Sequence, residues 1–199
     1  GAMSRHIVLL SGSNRFNSQS IKVAHYLRER LEALELCDSS ELIDLASSPL
    51  PLWPEEDTQK AWSAQQSTLK KATALIVISP EWNGMACPAL KNFFLYAGFS
   101  ELGHKPALLV GVSAGLGGAY PITELRASSY KNSRILYLPE QLIIRNVESM
   151  FNSECPSDEN DMRIRARADW VLHVLCQYND ALRTIRTAIK HPPEFSTGM

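Results

Sequence analysis

Three apolar runs constrain the fold more than anything else in the chain: Ile7-Val8-Leu9-Leu10, Ala74-Leu75-Ile76-Val77-Ile78-Ser79 and Ala107-Leu108-Leu109-Val110-Gly111-Val112. Each is short, and none alternates with polar residues, which is the pattern of strands buried on both faces. Such a sheet is parallel, and parallel neighbours need crossover connections, usually helices. The next segment supplies one, because Ile21, Ala24, Leu27, Leu31 and Leu34 recur at helical spacing.

The rest of the chain continues this alternation. Glu41–Ala46 reads as a second strand, followed by a proline-stiffened loop at Pro49, Pro51 and Pro54. Helices are expected over Asp57–Lys71, from about Ala86 to Tyr96, from Ile122 to about Lys131, and over Asp161–Ile189. Pro88 suits the first turn of its helix and Gly98 its end. Arg134–Leu138 and Gln141–Ile144 share the last strand region, with its boundary open. On the final helix, Met162, Ala166, Trp170, Val174, Tyr178, Leu182, Ile185 and Ile189 form the expected core stripe. Glu159–Arg163 and Asp161–Arg165 have the spacing of helical ion pairs, and Arg163, Arg165 and Arg167 read as a solvated face. The class is therefore α/β: a doubly wound five-stranded parallel sheet, order 2-1-3-4-5, with helices on both faces and right-handed crossovers. One domain is expected over residues 4–191, with Gly1-Ala2-Met3 an expression scar and 192–199 a frayed tail.

Composition narrows the function classes. The formal net charge is −1, from 20 basic and 21 acidic residues, so no electrostatic footprint for nucleic acid or an acidic membrane is present. Cys37, Cys87, Cys155 and Cys176 form no paired motif, and the histidines are dispersed, so neither a disulfide framework nor a metal site is indicated. A reduced, metal-free, cytoplasmic protein is expected.

In this sheet order, ligands bind beyond the carboxyl ends of the strands where the winding reverses, between strands 1 and 3. Three unusual loops follow strands 1, 3 and 4. The first, Leu10–Ser20, leads into a helix, whose start offers unpaired N–H groups and a positive dipole end. Gly12 admits close backbone approach. Ser11, Ser13, Asn14, Ser18, Gln19 and Ser20 offer polar side chains, and Arg15 a planar charged fork, a set suited to phosphate. Ser18 or Asn17 would equally serve as an ordinary helix cap. The second loop, Pro80-Glu81-Trp82-Asn83-Gly84, would put Trp82 at the edge of a pocket or in the core. The third carries Ser113, Gly115, Gly117 and Gly118, whose backbone N–H groups would face a flat ligand or shape a turn. Asp44 is not read as a ribose ligand, since the loop before it lacks the glycines of a dinucleotide fingerprint.

At these residues the chain resembles the NADPH-dependent FMN reductases, flavodoxin-like proteins that include flavin, quinone, chromate and azo reductases. Gly12-Ser13-Asn14-Arg15-Phe16-Asn17-Ser18 matches their Gly-Ser-x-Arg-x-x-Ser phosphate loop. Pro80–Gly84, followed by Pro88-Ala89-Leu90-Lys91-Asn92, matches their Pro-Glu-Tyr-Asn-Gly loop and the motif after it. Trp82, Met85 and Ala89 depart from the pattern. The resemblance implies FMN, with its phosphate on the first loop and its ring against the second. It further implies a ping-pong hydride transfer from NADPH or NADH to FMN N5 and on to a small acceptor (a quinone, flavin, azo compound or metal oxyanion). A homodimer or homotetramer is also implied. No acid–base side chain is required, so Glu81 reads as a hydrogen-bonding residue and Cys87 as a small buried hydrophobe. An FMN electron carrier is the alternative, against which the near-neutral charge argues.

Overall fold

The computed structural model describes residues 4–58 and 60–198, so the expected scar at 1–3 and the final tail residue lie outside it. The elements are β1 (His6–Ser11), α1 (Gln19–Ala33), β2 (Ser39–Asp44), α2 (Ala61–Lys71), β3 (Ala74–Trp82), β4 (Met85–Ala86), α3 (Pro88–Tyr96) and α4 (Phe99–Leu102). Then follow β5 (Pro106–Val112), α5 (Ala119–Ser128), β6 (Leu136–Ile144) and α6 (Glu159–Ala188), with short 3-10 turns at Val147–Ser149 and Pro193–Phe195. The parallel path runs β2-β1-β3-β5-β6, the predicted doubly wound order once the short β4, antiparallel to β3, is set aside.

The sheet divides the core in two, because successive side chains on a strand point to opposite faces. Ile7, Leu9, Ile76, Ile78, Leu108 and Val110 pack with α1 and α6 on one face. Val8, Leu10, Leu75, Val77 and Leu109 pack on the other with Leu69 of α2, Leu90 and Phe93 of α3, and Ile122 and Leu125 of α5. The two apolar runs of the last strand region join as one strand. Tyr137 pairs with Ala107 and Gln141 with Leu109, so three residues of β6 oppose one of β5 around Pro139, which has no N–H to donate.

The expected stripe on α6 is corrected. Its core face is Ala168, Val171, Leu172, Leu175, Cys176, Asn179 and Leu182, whereas Met162, Trp170, Ile185 and Ile189 are exposed. Most of the expected stripe advances by four residues, and each such step over-rotates by about 40°, so the line winds off the buried face. Of the two expected ion pairs, Asp161–Arg165 forms at 3.1 Å. Arg163 has no carboxylate at ion-pair distance among the described residues. The segment expected to be a frayed tail makes contacts: Arg134 donates to the carbonyls of Phe195 and Ser196, and just before it the ring of His191 stacks on His104. No helix among the described residues is long and apolar enough to cross a membrane.

Candidate active site at the carboxyl edge of the sheet

The loop after β1 is set by its neighbours before any ligand is considered. Gly12 N donates to Ile78 O at 2.9 Å, and a Cβ on Gly12 would lie 2.7 Å from that oxygen and 3.0 Å from Leu90. Contact with β3 and α3 by itself therefore demands glycine here. Ser13 Oγ accepts from Arg15 N at 3.1 Å, and Ser18 is the N-cap of α1, its Oγ accepting from Ile21 N at 3.1 Å. The N–H groups of Gln19 and Ser20, in the first turn, have no intrahelical acceptor. Ser11 Oγ, Gln19 Oε1 and Ser20 Oγ are buried without a hydrogen-bond partner. Buried polar atoms are normally satisfied, and each orphan costs about 1–3 kcal/mol. Three in one short segment make this the least satisfied polar region among the described residues. Asn14 and Arg15 are exposed beside it.

The loop after β3 is a hairpin. Trp82 pairs with Met85, and the turn residues Asn83 and Gly84 both have positive φ, 50° and 72°. Asn-Gly is the preferred pair for such a turn. That signal lay in the sequence and foretells the strand pairing that replaces the first turn of the helix expected from Ala86. Glu124 Oε2 accepts from Ala86 N at 2.7 Å and anchors the returning strand to α5.

The loop after β5 is satisfied from within. Gly115 N and Gly117 N both donate to Ser113 Oγ at 3.1 Å. Gly118 N and Tyr120 N donate to Glu81 Oε1 at 2.9 and 3.3 Å. The glycine N–H groups expected to face a ring are thus engaged by the protein. Glu81 sits at the start of α5, where a carboxylate is favoured by the helix dipole, and ties the second loop to the third. Gly117 leaves the room for this, since a Cβ there would collide with Glu81 Oε2. Glu81 is a hydrogen-bonding residue, as expected.

Together these loops enclose a cleft of about 300 Å³. Of the predicted residues, Ser13, Arg15, Ser18, Gln19, Ser20, Pro80, Glu81 and Trp82 line it. Ser11 lies buried at the end of β1, and Asn14, Asn83, Gly84, Ser113, Gly115, Gly117 and Gly118 stand around the cleft without lining it. Phe16, Asn17, Val112, Ala114, Val147 and Glu148 also line it and were missed as site residues. Val147 and Glu148 follow β6, whose carboxyl end shares the same edge, so the fold rule that selected three loops should have selected this fourth. Cys87 is buried below, where its Sγ donates to Gly12 O at 2.9 Å and burial pushes the thiol pKa up. It packs as a protonated thiol. No cluster of metal-ligating side chains occurs among the described residues.

Residues 5–149 match the model of the family described as NADPH-dependent FMN reductase. The chain is 30% identical over 145 residues to an NADPH azoreductase of a Bacillus species, covering 69% of this chain and 75% of that protein. It is 25% identical over 168 residues to an FMN-dependent NADPH-azoreductase of Staphylococcus aureus, covering 81% and 88%. Among solved structures, FerB of Paracoccus denitrificans, a flavoenzyme NAD(P)H:(acceptor) oxidoreductase, shares the fold at TM-score 0.69 and 18% identity, over 89% of this chain and 98% of that one. The apo form of an NADH:FMN oxidoreductase, EMOB, shares it at TM-score 0.62 and 18% identity, over 98% and 95%. This chain belongs to the NADPH-dependent FMN reductase family.

Proposed function

We propose that the cleft holds FMN and that the protein is an NAD(P)H-dependent oxidoreductase delivering electrons to a small acceptor. The observation that carries this is the unsatisfied polar cluster around the loop after β1, where the hydroxyls of Ser11, at the end of the strand, and of Ser20, in the first turn of α1, and the Oε1 of Gln19 lack partners beside the charged Arg15. A phosphate group in the cleft would supply the acceptors that the Ser20 hydroxyl and the first N–H groups of α1 lack. The donor set therefore fits the phosphate end of the cofactor. Ser13, Asn14, Arg15, Ser18, Gln19 and Ser20 bind that end, while Pro80, Glu81, Trp82, Asn83 and Gly84 flank the ring. Ser113, Gly115, Gly117 and Gly118 shape the third loop, which meets the cleft at Ala114.

Bound FMN supplies two-electron chemistry, accepting hydride from a reduced nicotinamide and passing electrons on. The protein orients the reactants, excludes water and contributes no titrating side chain. Glu81 serves as a structural clamp between two loops, and the Cys87 thiol stays protonated. Donor and acceptor use one site in turn, which is a ping-pong scheme. Quinones, flavins, azo compounds and metal oxyanions are the acceptor classes, and azo compounds are favoured by the names of the relatives matched by sequence. The cleft is at the small end of ligand pockets. Phe16, Met85, Leu116 and Tyr120 are all exposed. We infer that a second copy of the chain completes the site as a homodimer or homotetramer.

Anaerobic mixing of FMN-loaded protein with NADPH and NADH tests the reading. Bleaching of the bound flavin, followed by reoxidation with an azo dye or quinone, is expected. Flavin that neither donor bleaches would identify an electron carrier instead.

A further inference from the structure

The wall between the cleft and the far edge of the sheet has a second side. Asn146 N donates to Gly115 O at 2.8 Å, Arg145 Nε to Leu116 O at 2.9 Å, and Val147 N to Ser113 O at 3.1 Å. These bonds stitch the loops after β5 and β6 into one thin partition. Ala114 and Val147 line the cleft on one side of it. On the other side Leu116, Met150 and Ile164, with Arg145, Arg163 and Arg167, line a groove of about 600 Å³.

The groove's charge is one-sided. No carboxylate lines it. Arg167 is partly engaged, donating to Glu140 at 2.9 Å and to Gln141 O at 2.9 Å. Arg145 commits its Nε to the partition, and no ion pair or hydrogen bond of the Arg163 side chain is found among the described residues. Arginine forks set around apolar side chains suit an aromatic base that carries a phosphate. Arg163 of the expected solvated face and Arg145, just after β6, therefore keep unused donors on the groove side of the partition.

We propose that this groove receives the adenosine end of the pyridine dinucleotide, with Arg145 and Arg163 reading the 2′-phosphate and Leu116 and Ile164 supporting the base. The proposal rests on NAD(P)H being the electron donor, and it assigns the preference to NADPH. A dinucleotide crossing the partition places its nicotinamide on the cleft side and its phosphate among the arginines.

Calorimetric titration of the FMN-loaded protein with adenosine 2′,5′-bisphosphate and adenosine 5′-phosphate reads the groove without turnover. The bisphosphate should bind about tenfold more tightly, and Arg163→Ala and Arg145→Ala should each remove most of that preference. Steady-state kinetics should show the ratio of kcat/KM for NADPH to that for NADH falling about tenfold in Arg163→Ala, with Arg163→Lys retaining part of it. Arg163 has no side-chain contact among the ion pairs or hydrogen bonds, so its variants should melt with the parent. Equal affinity for the two nucleotides, or equal losses with both donors, in a protein whose flavin NADPH does reduce, overturns the groove assignment alone. Flavin that neither donor reduces overturns the functional reading and the groove together.

Discussion

The loop before α1 and the loop before α5 both sit between a buried strand and a helix and both read as receptive in sequence, the first through serines and asparagines around one glycine, the second through three glycines after one serine. Their polar groups have opposite fates. Before α5, Ser113 and Glu81 accept the N–H groups of Gly115, Gly117, Gly118 and Tyr120, so the turn is complete without a ligand. Before α1, Ser11, Gln19 and Ser20 keep buried atoms with no partner. Composition does not distinguish a self-satisfied turn from a receptive one. The location of each acceptor does.

This contrast can be attacked directly. The largest effect should come from Arg15→Ala, which should weaken FMN binding about a hundredfold by fluorescence titration, while riboflavin, lacking the phosphate, loses far less. Equal losses for both flavins would remove the distinction. Next is Glu81→Ala, which leaves the Gly118 and Tyr120 N–H groups without their charged acceptor. It should cost roughly 2 kcal/mol in urea unfolding with or without FMN, because that wall supports itself. Ser113→Ala should follow at about 1 kcal/mol, again independent of flavin. The smallest and most discriminating effect is Ser20→Ala. Removing an unpartnered buried hydroxyl should leave the flavin-free protein unchanged or more stable by a few tenths of a kcal/mol, yet weaken FMN several-fold. A flavin-free Ser20→Ala protein destabilised by more than about 1 kcal/mol would mean the hydroxyl is already satisfied.

The sheet and its winding were legible because burial on both faces leaves a continuous apolar signature, as in Ala74–Ser79. The cleft was legible because the order of the strands dictates where loops converge. What escaped was decided by contacts between distant segments. Gly12 reads as ligand-facing in a local window, and only the approach of Ile78 O shows that packing by itself demands it. The N–H groups of the third loop look free until Glu81, from a different loop, is brought against them. On α6 the error was one of geometry, since a line of residues four apart drifts around the helix and cannot mark one face. The Asn83-Gly84 pair is a local signal for the hairpin, whereas Val147 and Glu148 carry no glycine or serine signature and reach the cleft only through the placement of β6.

The near-coincidence of a Gly117 side chain with the Glu81 carboxylate has a consequence for divergence within the family. Two sites separated in the chain by two helices and two strands share one parcel of space, so neither is free to change by itself. A lineage that enlarges residue 117 must first shorten residue 81, and thereby releases the start of α5. Loop swaps between relatives should accordingly succeed only when the hairpin after β3 and the turn after β5 travel together.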